Sequence, residues 1–239
     1  MMRRNLAAAS LAAAVVTTAD AFPQKTWLAG GAVDSSYHID GDAKTARFNN
    51  VDDVAIVLGT GDLIVADKTN QVLRAIAAAD GKTTTLAGTS RSTGSTDALG
   101  TAAKFYNPLG LAVDAAGNTI VCDNGNNAIR KVTSGGTVTT VAGGTYGFAD
   151  GTGTAAKFRK PDDAALNGDA AYVLDRTNYL VRKVVVDTGV TTTVAGTGAN
   201  SIRDMGKVMG ALKSKYTGQM DFGKVGPLVK DQLCSGGDC

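Results

Sequence analysis

Between residues 48 and 196, short apolar runs alternate with clusters of Asp, Asn, Gly and Thr. The middle of this region shows the pattern best. Gly110–Asp114 is apolar, and Ala115–Asn118 is turn chemistry, with Gly117-Asn118 able to take positive φ at little cost. Thr119–Cys122 is β-rich, and Asp123–Asn127 is a second turn. Ala128–Val132, a third turn at Ser134–Gly136, and Val138–Ala142 follow. The spacing predicts four short antiparallel strands joined by tight turns.

The pattern recurs. GTAAKF stands at Gly100–Phe105 and again at Gly153–Phe158. Aligning the two brings FYNPLGLAVDAAGNTIVCDNGNNAIRKVTSGGTVTTVAG and FRKPDDAALNGDAAYVLDRTNYLVRKVVVDTGVTTTVAG into register, and a third copy starts at Phe48. Each copy contains Asp-x-x-Asn-x-x-x-Arg, as Asp67, Asn70, Arg74; Asp123, Asn126, Arg130; and Asp175, Asn178, Arg182. Each ends in Leu or Val followed by Ala-Gly. A period of about 50 residues indicates a solenoid, propeller or array. Four strands with two apolar faces make a unit that cannot bury itself, so the expected fold is all-β. It is a propeller-type array of three four-stranded blades, stacked radially and incomplete or open. The segment from Gly143 to Pro161 links one blade to the next, and its Phe is read as a plug between neighbours.

ADGTGTAAKF at 149–158, NPLGLAVDAAGN at 107–118, CDNGNNAIRKV at 122–132 and the TTVAG endings resemble the NHL-repeat family of β-propellers. The resemblance runs over about 27–198 and implies blades at about 27–88, 89–143 and 144–198. Val51 departs from it, standing where the other copies have Pro108 and Pro161.

Residues that recur once per blade are expected to serve the blade. Asp and Asn in a tight hairpin satisfy backbone N–H groups, and the Arg on the next strand can reach the same Asp. Two sets are candidates for binding. A basic residue precedes each repeat Phe, as Arg47, Lys104 and Lys157, and could line one face toward an anionic partner. Asp52-Asp53 and Asp162-Asp163 share one repeat position, where they could hold a cation if they face the central channel. The middle copy has Leu109-Gly110 there.

Propellers usually have 4–8 blades, and the fourth LAG, at Leu28–Gly30, stands without a repeat before it. Three blades leave two apolar faces uncovered. The chain is then a piece of a longer product (the preferred reading), pairs with a second copy into a six-bladed homodimer, or is capped by its own tail.

The two ends differ from the middle. Residues 1–21 carry Arg3-Arg4, an apolar run over Leu6–Ala19 and the small-residue pattern Ala19-Asp20-Ala21, the anatomy of a secretory signal peptide. The run is shorter than the ~20 residues a membrane span needs, so no span is expected after its removal. The expected location is secreted or in an endomembrane lumen. The alternative is a plastid of an alga with secondary plastids, because cleavage would expose Phe22. At 199–239 the β pattern stops. Met205, Val208, Met209 and Leu212 are spaced as on an amphipathic helix, and a second helix can start at Asp221, predicting a short α-helical hairpin. Residues 204–233 resemble the C-terminal end of the GatB/YqeY family, which implies a link to tRNA-dependent amidotransferases and tRNA contact.

Composition narrows the chemistry. The net charge is +2 with signs interspersed, which gives no argument for a nucleic-acid or membrane surface. The chain has no glutamate, so mechanisms needing a Glu acid or base are excluded. His38 is the single histidine, which excludes a zinc site built on several His. Cys122 falls on a predicted strand as a small buried hydrophobe, and Cys234 and Cys239 could close a small disulfide loop or stay free. No catalytic set, cofactor or metal is expected. The sequence reads as a non-catalytic binding module for a protein or glycan. The alternatives are a tRNA-linked accessory acting through the tail and a lyase or hydrolase on the propeller face.

Overall fold

The computed structural model describes residues 38–196. The leader, the isolated LAG, the helical tail and Cys234 and Cys239 lie outside the described residues.

Three antiparallel sheets follow one another along the chain. The first contains β1 (Val51–Ile56), β2 (Leu63–Asp67), β3 (Val72–Ile76) and β4 (Thr83–Ala87) in that order. The second repeats the order with β5 (Pro108–Val113), β6 (Thr119–Asp123), β7 (Ala128–Val132) and β8 (Val138–Gly143). The third has β10 (Pro161–Asn167), β11 (Ala170–Asp175), β12 (Leu180–Val185) and β13 (Val190–Ala195). The two-residue β9 (Gly151–Thr152) is added on its outer edge. The first strands β1, β5 and β10 lie side by side, so they form the inner wall of an open, propeller-like arc.

Equivalent residues occupy equivalent places. Val51, Pro108 and Pro161 each start an inner strand opposite Asp67, Asp123 and Asp175. Each inner strand then bulges, between Val51 and Val54, Pro108 and Leu111, and Pro161 and Ala164. The middle blade therefore begins two residues before the apolar run that marks it in the sequence. Proline is tolerated there because the first residue of a strand need not donate to the ladder. The linker entering each blade also lies along that blade's outer strand. It does so through a Gly41–Thr83 bridge, a Leu99–Thr137 bridge and the β9–β13 pairing.

The period-two alternation sets the core. Ile64 and Ala66 of β2, with Leu73 and Ala87, meet Phe105, Leu111, Val121, Val132 and Val138 of the second blade. Ile120, Cys122, Ile129 and Ala142 of the second blade meet Phe158, Ala164, Ala171, Val173 and Val184 of the third. Phe105 and Phe158 are wholly buried at these two seams. Full burial of such a side chain is worth roughly 1.5–3 kcal/mol. Gly143 is required at the second seam, since at its φ of +88° a Cβ would sit 2.8 Å from the Phe158 ring and 2.4 Å from the Asn127 carbonyl. Among the described residues no helix is long and apolar enough to cross a membrane.

Candidate functional site

The repeated Asp, Asn and Arg residues form one motif, built three times. In the middle blade Asp123, at the end of β6, accepts hydrogen bonds from the Tyr106 N–H at 2.8 Å, Asn126 Nδ2 at 2.7 Å and Arg130 Nη1 at 2.7 Å. Asp67 takes the same bonds from Asn49 N, Asn70 and Arg74, and Asp175 from Arg159 N, Asn178 and Arg182. Each Arg Nη1 also donates to the carbonyl of the basic residue before the repeat Phe: Arg47, Lys104 or Lys157. Each guanidinium lies over that Phe, with Cζ 4.8, 5.3 and 5.0 Å from the centroids of Phe48, Phe105 and Phe158.

A second carboxylate completes each motif. Asp40, Asp97 and Asp150 accept from Nη2 of Arg74, Arg130 and Arg182 at 2.7, 2.5 and 2.7 Å. They also accept from the backbone and hydroxyl of Thr85, Thr140 and Thr193. These acids escape the sequence reading, although each stands at one fixed offset before its repeat Phe. All three guanidinium side chains have 0% exposure, so none can meet a ligand. Burial pushes the carboxyls of Asp67, Asp123 and Asp175 up, Asp123 to about 6, against the donors that favour their ionised forms.

The inner wall carries the paired aspartates. Asp53 accepts from its neighbour Val54 N and, across the seam, from Leu111 N at 2.8 Å. Asp163 accepts from Ala164 N at 2.8 Å and packs against Gly110, where a Cβ would lie 2.5 Å from the Asp163 Cα. Burial, then the charge of Asp53, pushes Asp163 up to about 6. Asp52 pairs with Lys68 at 3.4 Å, and Asp162 with Arg176 at 3.5 Å. Among the described residues no three acidic, imidazole or thiol groups converge as a metal site. His38 Nε2 lies 2.8 Å from Thr85 Oγ1, and burial followed by the Arg74 charge pulls its pKa down. Cys122 is fully buried, and burial raises its thiol well above the ordinary range, which makes it inert.

Arg47 turns onto its own linker, donating to the carbonyls of Lys44, Thr45 and Ala46. The stems of Lys104 and Lys157 lie against Gly94 and Gly147. Each of the three therefore lies against its own linker, Arg47 through hydrogen bonds and the two lysines through their stems.

The two residues after each repeat Phe behave differently. The N–H of Asn49, Tyr106 and Arg159 bonds Asp67, Asp123 and Asp175, and the next residues, Asn50, Asn107 and Lys160, all take a φ of 51–60°. The backbone is the same three times, whereas the side chains are not. Tyr106 lies on Gly125, where a Cβ would meet its ring at 2.4 Å. Lys160 Nζ stands 6.0 Å from the Tyr106 centroid, and Arg159 Cζ stands 4.9 Å from that of Tyr146. Arg159 Nε also donates to the Tyr146 hydroxyl. Sequence reading missed this cluster because it repeats nowhere. Its one signal is the Arg159-Lys160 pair where other copies have neutral residues.

Comparison with known proteins places the repeat. Residues 105–132 match the NHL repeat family model, and residues 180–233 match that of the Yqey-like proteins. The second match begins inside β12, so its first part is blade strand. NHL repeat-containing protein 2 of Gallus gallus is 31% identical over 105 residues, covering 43% of this chain and 14% of that protein. The Bos taurus protein of the same name is 29% identical over 128 residues, covering 52% and 17%. The chain thus spans about a sixth of the length of these curated relatives. An auxiliary nutrient binding protein from Bacteroides thetaiotaomicron superposes with a TM-score of 0.52 at 18% identity, covering 58% of this chain and 38% of that one. One from Bacteroides ovatus also gives 0.52, at 20% identity, covering 63% and 39%. These likenesses show the fold alone. One repeat of the chain, residues 105–132, thus matches the NHL model, and its three sheets share the propeller-like fold of these structures.

Proposed function

We propose that this chain is a non-catalytic NHL-repeat binding module whose ligand is a protein, working in a secreted or lumenal setting. One observation supports the reading above the rest. The charges of the Asp-Asn-Arg motif are consumed inside each blade, with the three guanidiniums wholly buried, while side chains on a fixed backbone after each repeat Phe differ from blade to blade. A scaffold that repeats beneath a surface that varies is suited to recognition. The test is saturable binding by the purified full chain to a protein or peptide, lost on substitution at the Tyr106 side and kept on substitution at the β3–β4 turns. Turnover of any substrate that disappears in Asp163→Asn while binding is absent would overturn it.

The match to Yqey-like proteins at 180–233 favours a second reading, an RNA-linked accessory. It expects the full chain to shift tRNA in a salt-sensitive way and Lys207→Ala, Lys213→Ala and Lys215→Ala together to abolish the shift. An unshifted tRNA ends that reading.

A further inference from the structure

We propose that the seam between the second and third blades docks an acidic segment of a partner protein, with Arg159 and Lys160 as the carboxylate donors and Tyr106 and Tyr146 as the apolar platform. The inference rests on the binding-module reading and names its site and the chemistry of its partner.

Charge points to the occupant. Lys68 and Arg176 spend their charge on Asp52 and Asp162. Among the described residues no carboxylate forms an ion pair with Arg159 or Lys160. Two adjacent cations are thus left for an outside anion. Their backbone is held from both sides of the seam, Arg159 N by Asp175 at 2.7 Å and Lys160 N by Asn127 at 3.0 Å, so little backbone freedom is lost when they bind. Arg159 is held again through its side chain, stacked on Tyr146 and bonded to its hydroxyl through Nε. Its Nη groups make no hydrogen bond to another described residue and remain available for the forked contact a carboxylate accepts.

The aromatic groups point to a protein. Tyr106 is 42% exposed and Tyr146 is 54% exposed, and Phe148, two residues on in the same linker, is 59% exposed. Tyrosine and arginine are the residues from which interface hot spots are made. Gly125 seats the Tyr106 ring where the corresponding Thr69 and Thr177 would collide with it. A long polyanion fits less well. Asp53 and Asp163 stand on the adjoining inner wall and disfavour an extended run of phosphates, whereas a short acidic segment ends before reaching them.

The test uses the full chain as bait for a displayed library of short random peptides, followed by fluorescence anisotropy on the peptides recovered. The expected result is enrichment of Asp or Glu beside aromatic or aliphatic residues, with affinity that falls severalfold as salt rises from about 50 to about 300 mM. Affinity should drop at least about tenfold in the double variant Arg159→Gln/Lys160→Gln. Lys82→Ala, which removes a charge from the distant β3–β4 turn, should leave it unchanged. Thermal unfolding of the double variant is compared with wild type, and Arg159→Lys with Lys160→Arg should restore most of the affinity if charge at the seam is what binds. Acidic peptides whose affinity ignores the double variant would overturn the site while leaving a binding module intact. Peptides without acidic residues would overturn the partner chemistry. An oligonucleotide bound in place of peptides, and lost in the double variant, would overturn the protein occupant. Failure of every peptide and oligonucleotide to bind would overturn both the site and the module.

Discussion

The two seams between blades share one backbone plan and are finished with different side chains. At the first, Gln71 and Asn107 close the turn side as a pair of neutral amides, with Asn107 N donating to Gln71 Oε1 at 2.6 Å. Near the inner wall, Asp53 bonds Leu111 N. At the second, the Asn127 amide meets the backbone of Lys160, Asn124 Nδ2 donates to the Pro161 carbonyl at 3.0 Å, and Gly110 lets the Asp163 backbone come close. Both seams thus join an amide oxygen to a backbone N–H at the same position, and the first adds a side-chain contact, Gln71 Nε2 to Asn107 Oδ1 at 3.4 Å. The second has Lys160 where the first has Asn107, which leaves Arg159, Lys160 and their tyrosines for other use. A repeat can keep its packing and still make one join different from the next.

The largest test of the shared plan is the plug. Phe105→Ala and Phe158→Ala should each cost about 3–5 kcal/mol in urea unfolding, and a large inequality between them would show that the seams do not share a core. Next comes the close approach. Gly110→Ala puts a Cβ against the Asp163 backbone and should cost about 1–3 kcal/mol. If it is neutral, the second seam is looser than its geometry says. Asp163→Asn should act in the opposite direction. The folded chain keeps this proton up to about pH 6, whereas an ordinary Asp releases it near 3.8, so stability falls as the pH rises through that window and then levels. The variant should therefore be more stable than wild type by about 3 kcal/mol at pH 7, with most of that difference gone at pH 4. An unchanged difference between the two pH values would place the effect in packing. The smallest effect falls on the amides, where Gln71→Ala should cost about 1 kcal/mol and leave peptide binding at the second seam untouched.

The sequence makes the blades legible because a β-strand writes its buried face at every second residue and its turns in Asp, Asn and Gly. Three copies of such a pattern reinforce one another, and that redundancy places strands to within about two residues. Asp40, Asp97 and Asp150 were harder to read. They lie in linkers, and their contact with an arginine more than thirty residues later is a product of the fold. Their constant distance from the repeat Phe was the available clue. The candidate site was the least legible, because the alignment that exposes a repeat discards what fails to recur. Arg159, Lys160, Tyr106 and Tyr146 become a cluster only when two blades meet. Lys104 and Lys157 drew attention for the opposite reason: they recur, and their carbonyls serve the buried guanidiniums.

Each buried arginine takes its outer carboxylate from the linker arriving ahead of its own blade. The natural unit of exchange therefore runs from that aspartate to the glycine closing the fourth strand: 40–88, 97–143 and 150–196. A graft or duplication spliced ahead of Asp97 transfers a blade whose guanidinium keeps both of its carboxylates. A cut only slightly later, between Leu99 and Pro108, would strand Arg130 in an apolar seam with one partner gone, a fault of several kcal/mol from a displacement of a few codons. For anyone lengthening or shortening this array, the join belongs upstream of the acid rather than at the edge of the sheet.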